Sequence, residues 1–389
     1  MRPSKLSTLA ATLLTAAAPA WTRATSHHLT GRQGPVANET TEWGAVCQLM
    51  IIPVHVTKSV EGNFTMEDYD VNILFALAER EILIEADYEL SARYCQPGPG
   101  VERKDTLQIL AHGATFNKIM WDFPYKPESH SWTRFMTLSG YSTLAVDLVG
   151  AGNSTHPHGL LEAQTETYVQ TMHHVIQKVR SRELLDRSYA KIALVGFSIG
   201  AITSNAIADR FPEDADAIVL IGIAWELPYI YPSFLAGLQS AANTIDPDKW
   251  GHLESFYQTQ STLAAREVAN FGGDYDVGAL ETDYATRDLD TLGAAVTFTY
   301  HLVTAPSYQR PVFLGIGNND ASFCGRECGS QPYALYDRFP AASDHVINVY
   351  ENTGHAIIYH NVAPALMKDA RDFLEKHLGC LHIAQYALR

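Results

Sequence analysis

The chain has 389 residues, 46% of them hydrophobic and 18% charged, with a formal net charge of −15. That is globular composition, long enough for one large α/β domain with an insert or for two domains. A chain this acidic, with no Lys/Arg cluster, has no electrostatic case for nucleic acid or an anionic membrane; the motifs further along the chain lead to a small-molecule substrate as the expected partner.

The first stretch reads as a targeting segment, residues 1–20. Arg2 and Lys5 make a basic start, Leu6 to Ala18 is apolar and uncharged, and Ala18-Pro19-Ala20 offers a small-x-small cleavage site. The apolar run is too short to span a bilayer, and the localisation expected is secreted. Two features agree with that. Sequons for glycosylation occur at Asn38, Asn63 and Asn153. Five cysteines are present, and an oxidising compartment favours their pairing. Cys47 with Cys95 and Cys324 with Cys328 are the first candidates, leaving Cys380 over, although connectivity does not follow from sequence.

Residues 21–42 are polar and read as a disordered lead-in. Residues 43–60 read as a strand broken at Pro53, and 66–80 show helical spacing. In 82–95, Ile82, Ile84, Ala86, Tyr88, Leu90, Ala92 and Tyr94 alternate on one face, the period of a strand. Together 43–100 form an N-terminal extension that adds edge strands to a larger sheet.

From Asp105 onward short apolar runs alternate with helical stretches. The strands expected lie at 106–111, 141–148, 191–197, 217–224, 311–316 and 345–350. Helices are expected at 163–185, after the 191–197 strand, and at 364–378. This is the pattern of a mostly parallel α/β sheet flanked by helices, with a core of 101–224 and 311–389. Residues 225–310 exceed what a crossover needs. Rich in Trp, Tyr and Phe, they read as a helical lid inserted between the sixth and seventh core strands.

The central motif is Gly196-Phe197-Ser198-Ile199-Gly200, between an apolar strand and a helix. A Ser on a sharp strand-to-helix turn needs small neighbours two positions either side, which is the physical content of Gly-x-Ser-x-Gly. A Ser hydroxyl is a poor nucleophile until a base takes its proton and an acid orients the base. In the order Ser…acid…His, Asp320 follows the 311–316 strand and His355 follows the last strand, with Glu226 as reserve acid. Oxyanion donors are expected from the N–H of Ile199 and of Ala114, with Thr115 as the alternative to Ala114. His112 reads as structural, and Asp147 is read as shaping the next strand end and is assigned no catalytic role. There is no HExxH and no zinc-type Cys/His spacing, so neither a metal nor a cofactor is expected.

With His112-Gly113, Asp147 to Ser154, the Ser198 pentapeptide, Asp320 and Gly354-His355 in place, the chain from about residue 105 to 380 resembles the α/β-hydrolase superfamily, serine hydrolase branch. The leader, Ala92 to Pro97 and Trp121 to Tyr125 are similar to secreted fungal members. Epoxide hydrolases and haloalkane dehalogenases of this superfamily carry Asp at the elbow, where this chain has Ser198. Interfacial lipases carry a more apolar lid. Here the insert holds Glu254, Arg266, Glu267, Asp274, Asp276, Glu281, Asp283, Arg287, Asp288 and Asp290, which points to a soluble substrate. The resemblance implies an ester-type hydrolase working through an acyl-enzyme. The rivals are a peptidase, a C–C hydrolase, a secondary-metabolite biosynthetic enzyme on the same fold, and a catalytically silent binding protein.

Overall fold

A computed structural model of the protein describes residues 38–61, 81–226, 237 and 239–379. The targeting segment, Asn63, the helix expected at 66–80 and Cys380 lie outside the described residues.

Among the described residues nine strands form the main sheet: β1 (Glu39–Thr40), β2 (Val46–Glu61), β3 (Glu81–Gln96), β4 (Thr106–Ala111), β5 (Ser142–Val146), β6 (Lys191–Phe197), β7 (Ala217–Ile221), β11 (Val312–Gly317) and β12 (His345–Tyr350). Their order is β1-β2-β3-β5-β4-β6-β7-β11-β12. The strands from β5 to β12 in that order pair in parallel, and β1, β2 and β3 are antiparallel additions at one edge.

Alternation within the parallel strands sends side chains to two cores. Leu107 and Ile109 of β4, Ile192 and Leu194 of β6, and Ile218 and Leu220 of β7 face one layer. There they meet helices α2 (Thr165–Arg180) and α3 (Ile199–Arg210). Leu110, Ala193, Val195, Phe197, Val219 and Ile221 face the other. That layer is covered by α1 (Trp132–Leu138) and α8 (Ala363–Leu378). Strands buried on both faces are why these segments read as continuous apolar runs.

Two local expectations are corrected. Pro53 does not break the first long strand; it pairs with Glu89 inside β2. Past Cys47, β2 has β3 as its only partner among the described residues, so it is an edge there, where a residue without an N–H is tolerated. The end of the segment read as disordered is ordered: Glu39 and Thr40 pair with Cys47 and Val46. The turn between them closes through Thr41 N to Ala45 O at 2.9 Å, with Gly44 at φ 88°. Both favoured disulfides are present, Cys47–Cys95 and Cys324–Cys328. The first joins residues directly opposite each other on β2 and β3.

The insert is not helical alone. A three-stranded antiparallel sheet, β8 (Gln239–Ala241), β9 (Tyr257–Gln260) and β10 (Asp290–Thr291), runs in the order β10-β9-β8. Around it stand α4 (Leu263–Asn270), α5 (Val277–Thr286) and α6 (Leu292–Thr297). These strands are too short to leave a periodic signal in sequence. The polarity of the insert is also partly internal: Arg266, Asp283, Asp288 and Asp290 are all buried. They therefore do not mark a polar outer surface, and the charge count loses much of its bearing on substrate solubility.

Candidate active site

After β4 the chain turns to β5, and after β6 it turns the opposite way to β7. The adjacent carboxyl ends of β4 and β6 thus form the switch point at which open α/β sheets bind ligands. The loop carrying Ala114 leaves β4 there, and Ser198 leaves β6.

Ser198 sits at φ 54° and ψ −118°, a conformation L residues rarely adopt, directly before α3. Its flanks explain the glycines. A Cβ on Gly196 would lie 2.2 Å from Gly200 O, and one on Gly200 would lie 2.2 Å from Ala111 O.

The three residues expected to act together are together. Ser198 Oγ lies 3.0 Å from His355 Nε2, and His355 Nδ1 lies 2.7 Å from Asp320 Oδ2. The second oxygen of Asp320 accepts from Phe323 N at 2.9 Å, capping the short helix α7 (Ala321–Cys324). Fully buried and committed at both oxygens, Asp320 orders the imidazole with Nδ1 as donor and leaves Nε2 to accept from the Ser198 hydroxyl. Phe197 and Phe323 tilt against the ring, with centroids at 4.8 and 5.7 Å. Glu226 is exposed and has no part in this chain of hydrogen bonds.

The N–H groups expected to face an oxyanion differ in their partners. Thr115 N donates to Leu289 O at 3.1 Å and is occupied. Ala114 and Ile199 both line the pocket beside Ser198, and among the described residues neither N–H has a partner. Thr115 itself is held at φ 65°. Its carbonyl accepts from Asp288 N at 2.8 Å, and its hydroxyl accepts from Arg266 Nη1 at 2.5 Å. The insert therefore clamps the loop that presents Ala114.

His112 is buried: Nδ1 donates to Gly113 O at 2.8 Å and Nε2 accepts from Leu148 N at 2.9 Å. Burial pushes its pKa down, keeping the imidazole neutral as those two bonds require. Asp147 is a hub for the neighbouring turn, accepting from Lys118 N at 2.7 Å and Asn153 N at 3.0 Å. Asn38 and Asn153 are exposed.

A pocket opens next to Ser198. Its walls are mainly Ala114, Ile199, Ile202, Ala269, Phe298 and Phe323, with Gln239, Gln260, Asn270 and Asp290 adding polar groups. Among the described aromatics of the insert, Phe298 reaches this lining, while Trp250, Tyr257 and Phe271 are buried in packing. Sequence reading missed Asp290 as a wall residue and His360 as a support. His360 Nε2 accepts from Gly354 N at 3.0 Å, fixing the loop just before His355. Neither position carries a motif, and only the fold brings them near Ser198.

A profile of the alpha/beta hydrolase family matches residues 108–369. No curated protein sequence matches the chain. Among solved structures it is similar to a soluble variant of monoglyceride lipase from Saccharomyces cerevisiae in complex with a substrate analog. There the TM-score is 0.53 at 14% identity, over 75% of this chain and 92% of that one. It is also similar to the monoacylglycerol lipase of Paleococcus ferrophilus, with a TM-score of 0.50 at 14% identity, over 71% and 96% of the two chains. At that identity the likeness is one of fold.

Proposed function

The chain belongs to the alpha/beta hydrolase family, and we propose that it is a secreted serine esterase acting on small or medium ester substrates. Ser198 Oγ attacks the ester carbonyl while His355 Nε2 takes its proton. The negative charge that develops on the carbonyl oxygen is met by the N–H groups of Ile199 and Ala114. His355 then protonates the leaving alcohol, and the acyl-enzyme forms. Water, deprotonated by the same His355, releases the acid and restores Ser198. Asp320 holds the imidazole and stabilises its cationic form. No cofactor enters this cycle.

The observation that carries the reading is the unbroken path from Ser198 Oγ through His355 to Asp320, at 3.0 and 2.7 Å, with two uncommitted backbone donors beside it. The pocket beside Ser198 is walled mainly by apolar side chains with a few polar groups, the make-up of a small-molecule site. The two structural relatives are a monoglyceride lipase and a monoacylglycerol lipase, in keeping with an ester substrate. The test is covalent labelling by a fluorophosphonate together with turnover on a panel of esters, peptides and β-diketones. Ester hydrolysis in the native chain, lost with labelling in Ser198→Ala, supports the reading. Undiminished hydrolysis in that variant overturns it.

Secretion rests on the apolar leader, two exposed sequons at Asn38 and Asn153, and two disulfides. Expression in a eukaryotic host, with N-terminal sequencing and glycosidase-sensitive mass of the exported protein, tests it. An unprocessed, unglycosylated intracellular product would count against it.

A further inference from the structure

Asp290 is 4% exposed and lines the same pocket as Ser198 and His355. Its Oδ1 accepts from Thr291 N at 2.8 Å. Among the described residues no other hydrogen bond and no cation reaches the carboxyl. The buried guanidinium of Arg266 is committed elsewhere: both oxygens of Asp283 take it at 2.7 Å, and its remaining nitrogen serves Thr115 and Gln260.

A structural duty would account for such a carboxyl, and the obvious one is taken. The following helix, α6, is capped by Thr291, whose hydroxyl accepts from Ala294 N at 3.2 Å. Asp290 is left without a capping role. A carboxyl kept in this setting is costly, and burial has pushed its pKa up to about 7. The cost is offset when a ligand brings a donor into the pocket.

A second wall residue narrows the chemistry. Asn270 is 4% exposed and lines the pocket, and its Nδ2 is a buried donor without a partner among the described residues. The pocket therefore offers one open acceptor and one open donor. A hydroxyl satisfies both kinds of group, since it donates and accepts. An ammonium satisfies the acceptor alone.

We propose that Asp290 is a specificity-determining residue that accepts a hydrogen bond from a hydroxyl carried by the substrate, so that hydroxylated esters are preferred to plain ones. The proposal rests on the esterase reading of Ser198 and adds the substrate class. It gives the polar insert a role at the pocket wall in place of one at its outer surface.

The test uses straight-chain esters of six to ten carbons, each paired with its ω-hydroxy counterpart, with the hydroxyl placed either on the acid half or on the alcohol half. In the native chain the hydroxy member of at least one pair is expected to exceed its plain partner in kcat/KM by about tenfold or more. Asp290→Leu should bring that ratio to about one. Asp290→Asn keeps the shape and still lowers the ratio, and it decides the matter where the Leu variant does not fold. Amino counterparts form a separate arm: a preference for them with none for hydroxyls overturns the hydroxyl assignment. So does a native ratio near one at every length, or a preference that survives both substitutions. If the chain proves not to be an esterase, calorimetry of the same ester pairs on the Ser198→Ala protein reads the preference without turnover. Fluorophosphonate labelling of the native chain then shows separately that the esterase reading has failed.

Discussion

The Arg266 guanidinium joins the insert to the loop that follows β4. Its Nη1 donates to Thr115 Oγ1 at 2.5 Å, and its Nε and Nη2 reach the two oxygens of Asp283 at 2.7 Å. Phe116 stacks beneath it, with the guanidinium carbon 4.0 Å from the ring centroid. The pair is fully buried, so its net worth against an apolar replacement is small, while breaking it is expensive. Arg266→Met leaves Asp283 buried and uncompensated and is expected to cost about 3–5 kcal/mol. Arg266→Met with Asp283→Leu should recover much of that. Urea unfolding of the three proteins checks it, and equal stability of the single and double variants would count against the pairing. Because Thr115 is gripped by the same guanidinium, both variants should also lose kcat more than they raise KM.

The identity of the acid is tested by comparing two carboxylates. Asp320→Asn keeps the shape but stabilises the wrong imidazole tautomer, and a fall in kcat of about 10³–10⁴ is expected by analogy with other triads. Glu226→Gln, at an exposed position, should leave kcat within about twofold, as surface substitutions away from a site do. Steady-state kinetics on one ester measures both. Loss in the Glu226 variant with retention in the Asp320 variant would reverse the assignment.

The elbow makes a steric prediction. A methyl on Gly200 would meet Ala111 O at 2.2 Å and His112 O at 2.7 Å, both backbone atoms. Backbone cannot step aside as a flexible side chain can. Gly200→Ala is therefore expected to cost about 1–3 kcal/mol or more and to displace the Ser198 turn, lowering fluorophosphonate labelling along with the melting temperature. Gly329→Ala, where no atom lies within 4 Å but φ is +52°, serves as a comparison with backbone strain and no clash. A Gly200 variant no worse than that one would refute the packing argument.

Much of this was legible because the chemistry has a sequence order. Parallel strands buried on both faces gave unbroken apolar runs, and the sharp turn at Ser198 enforced glycines at fixed offsets. Asp320 and His355 could be found because a group that is to reach Ser198 in such a sheet must sit at a strand end. The supports were not legible. Arg266 and Thr115 are 151 positions apart, and nothing local distinguishes a buried Arg from a solvated one. Charge in the insert pointed outward in sequence, yet Arg266, Asp283, Asp288 and Asp290 are buried, and burial is a property of the fold. Pro53 read as a break because edge position is a property of the sheet and cannot be seen in the strand alone.

His360 makes a further prediction about the loop that carries His355. Its Nε2 must stay unprotonated to accept from Gly354 N, and Nδ1 donates to Ala356 O at 2.8 Å. Burial lowers its pKa to about 4 from 6.5. A depressed folded value means the unfolded chain binds the extra proton first, so this contribution is present above pH 6.5 and is lost as pH falls toward 4. His360→Ala should lower kcat by about tenfold or more by releasing the loop and should flatten the loss of stability on acidification. An unchanged kcat would remove the positioning role.

Asp290 predicts the opposite sign. Its pKa is raised from 3.8 to about 7 by burial, so between those values the folded chain holds a proton that the unfolded chain has released. Stability therefore falls as pH rises through that window, by up to a few kcal/mol. Below pH 3.8 the carboxyl is protonated in both states and imposes no cost. Asp290→Asn removes the titration while keeping the shape, so its melting temperature should match the native chain near pH 4 and exceed it increasingly toward pH 8. Taking the difference between the two proteins at each pH isolates this carboxyl, because His360 titrates in both; Tyr168, whose hydroxyl bonds Thr291 Oγ1 at 3.2 Å, stays neutral throughout. A difference that is flat with pH would mean that the Asp290 carboxyl is ionised and compensated in the folded chain. It would then have a partner already, and no vacancy for a substrate hydroxyl to fill.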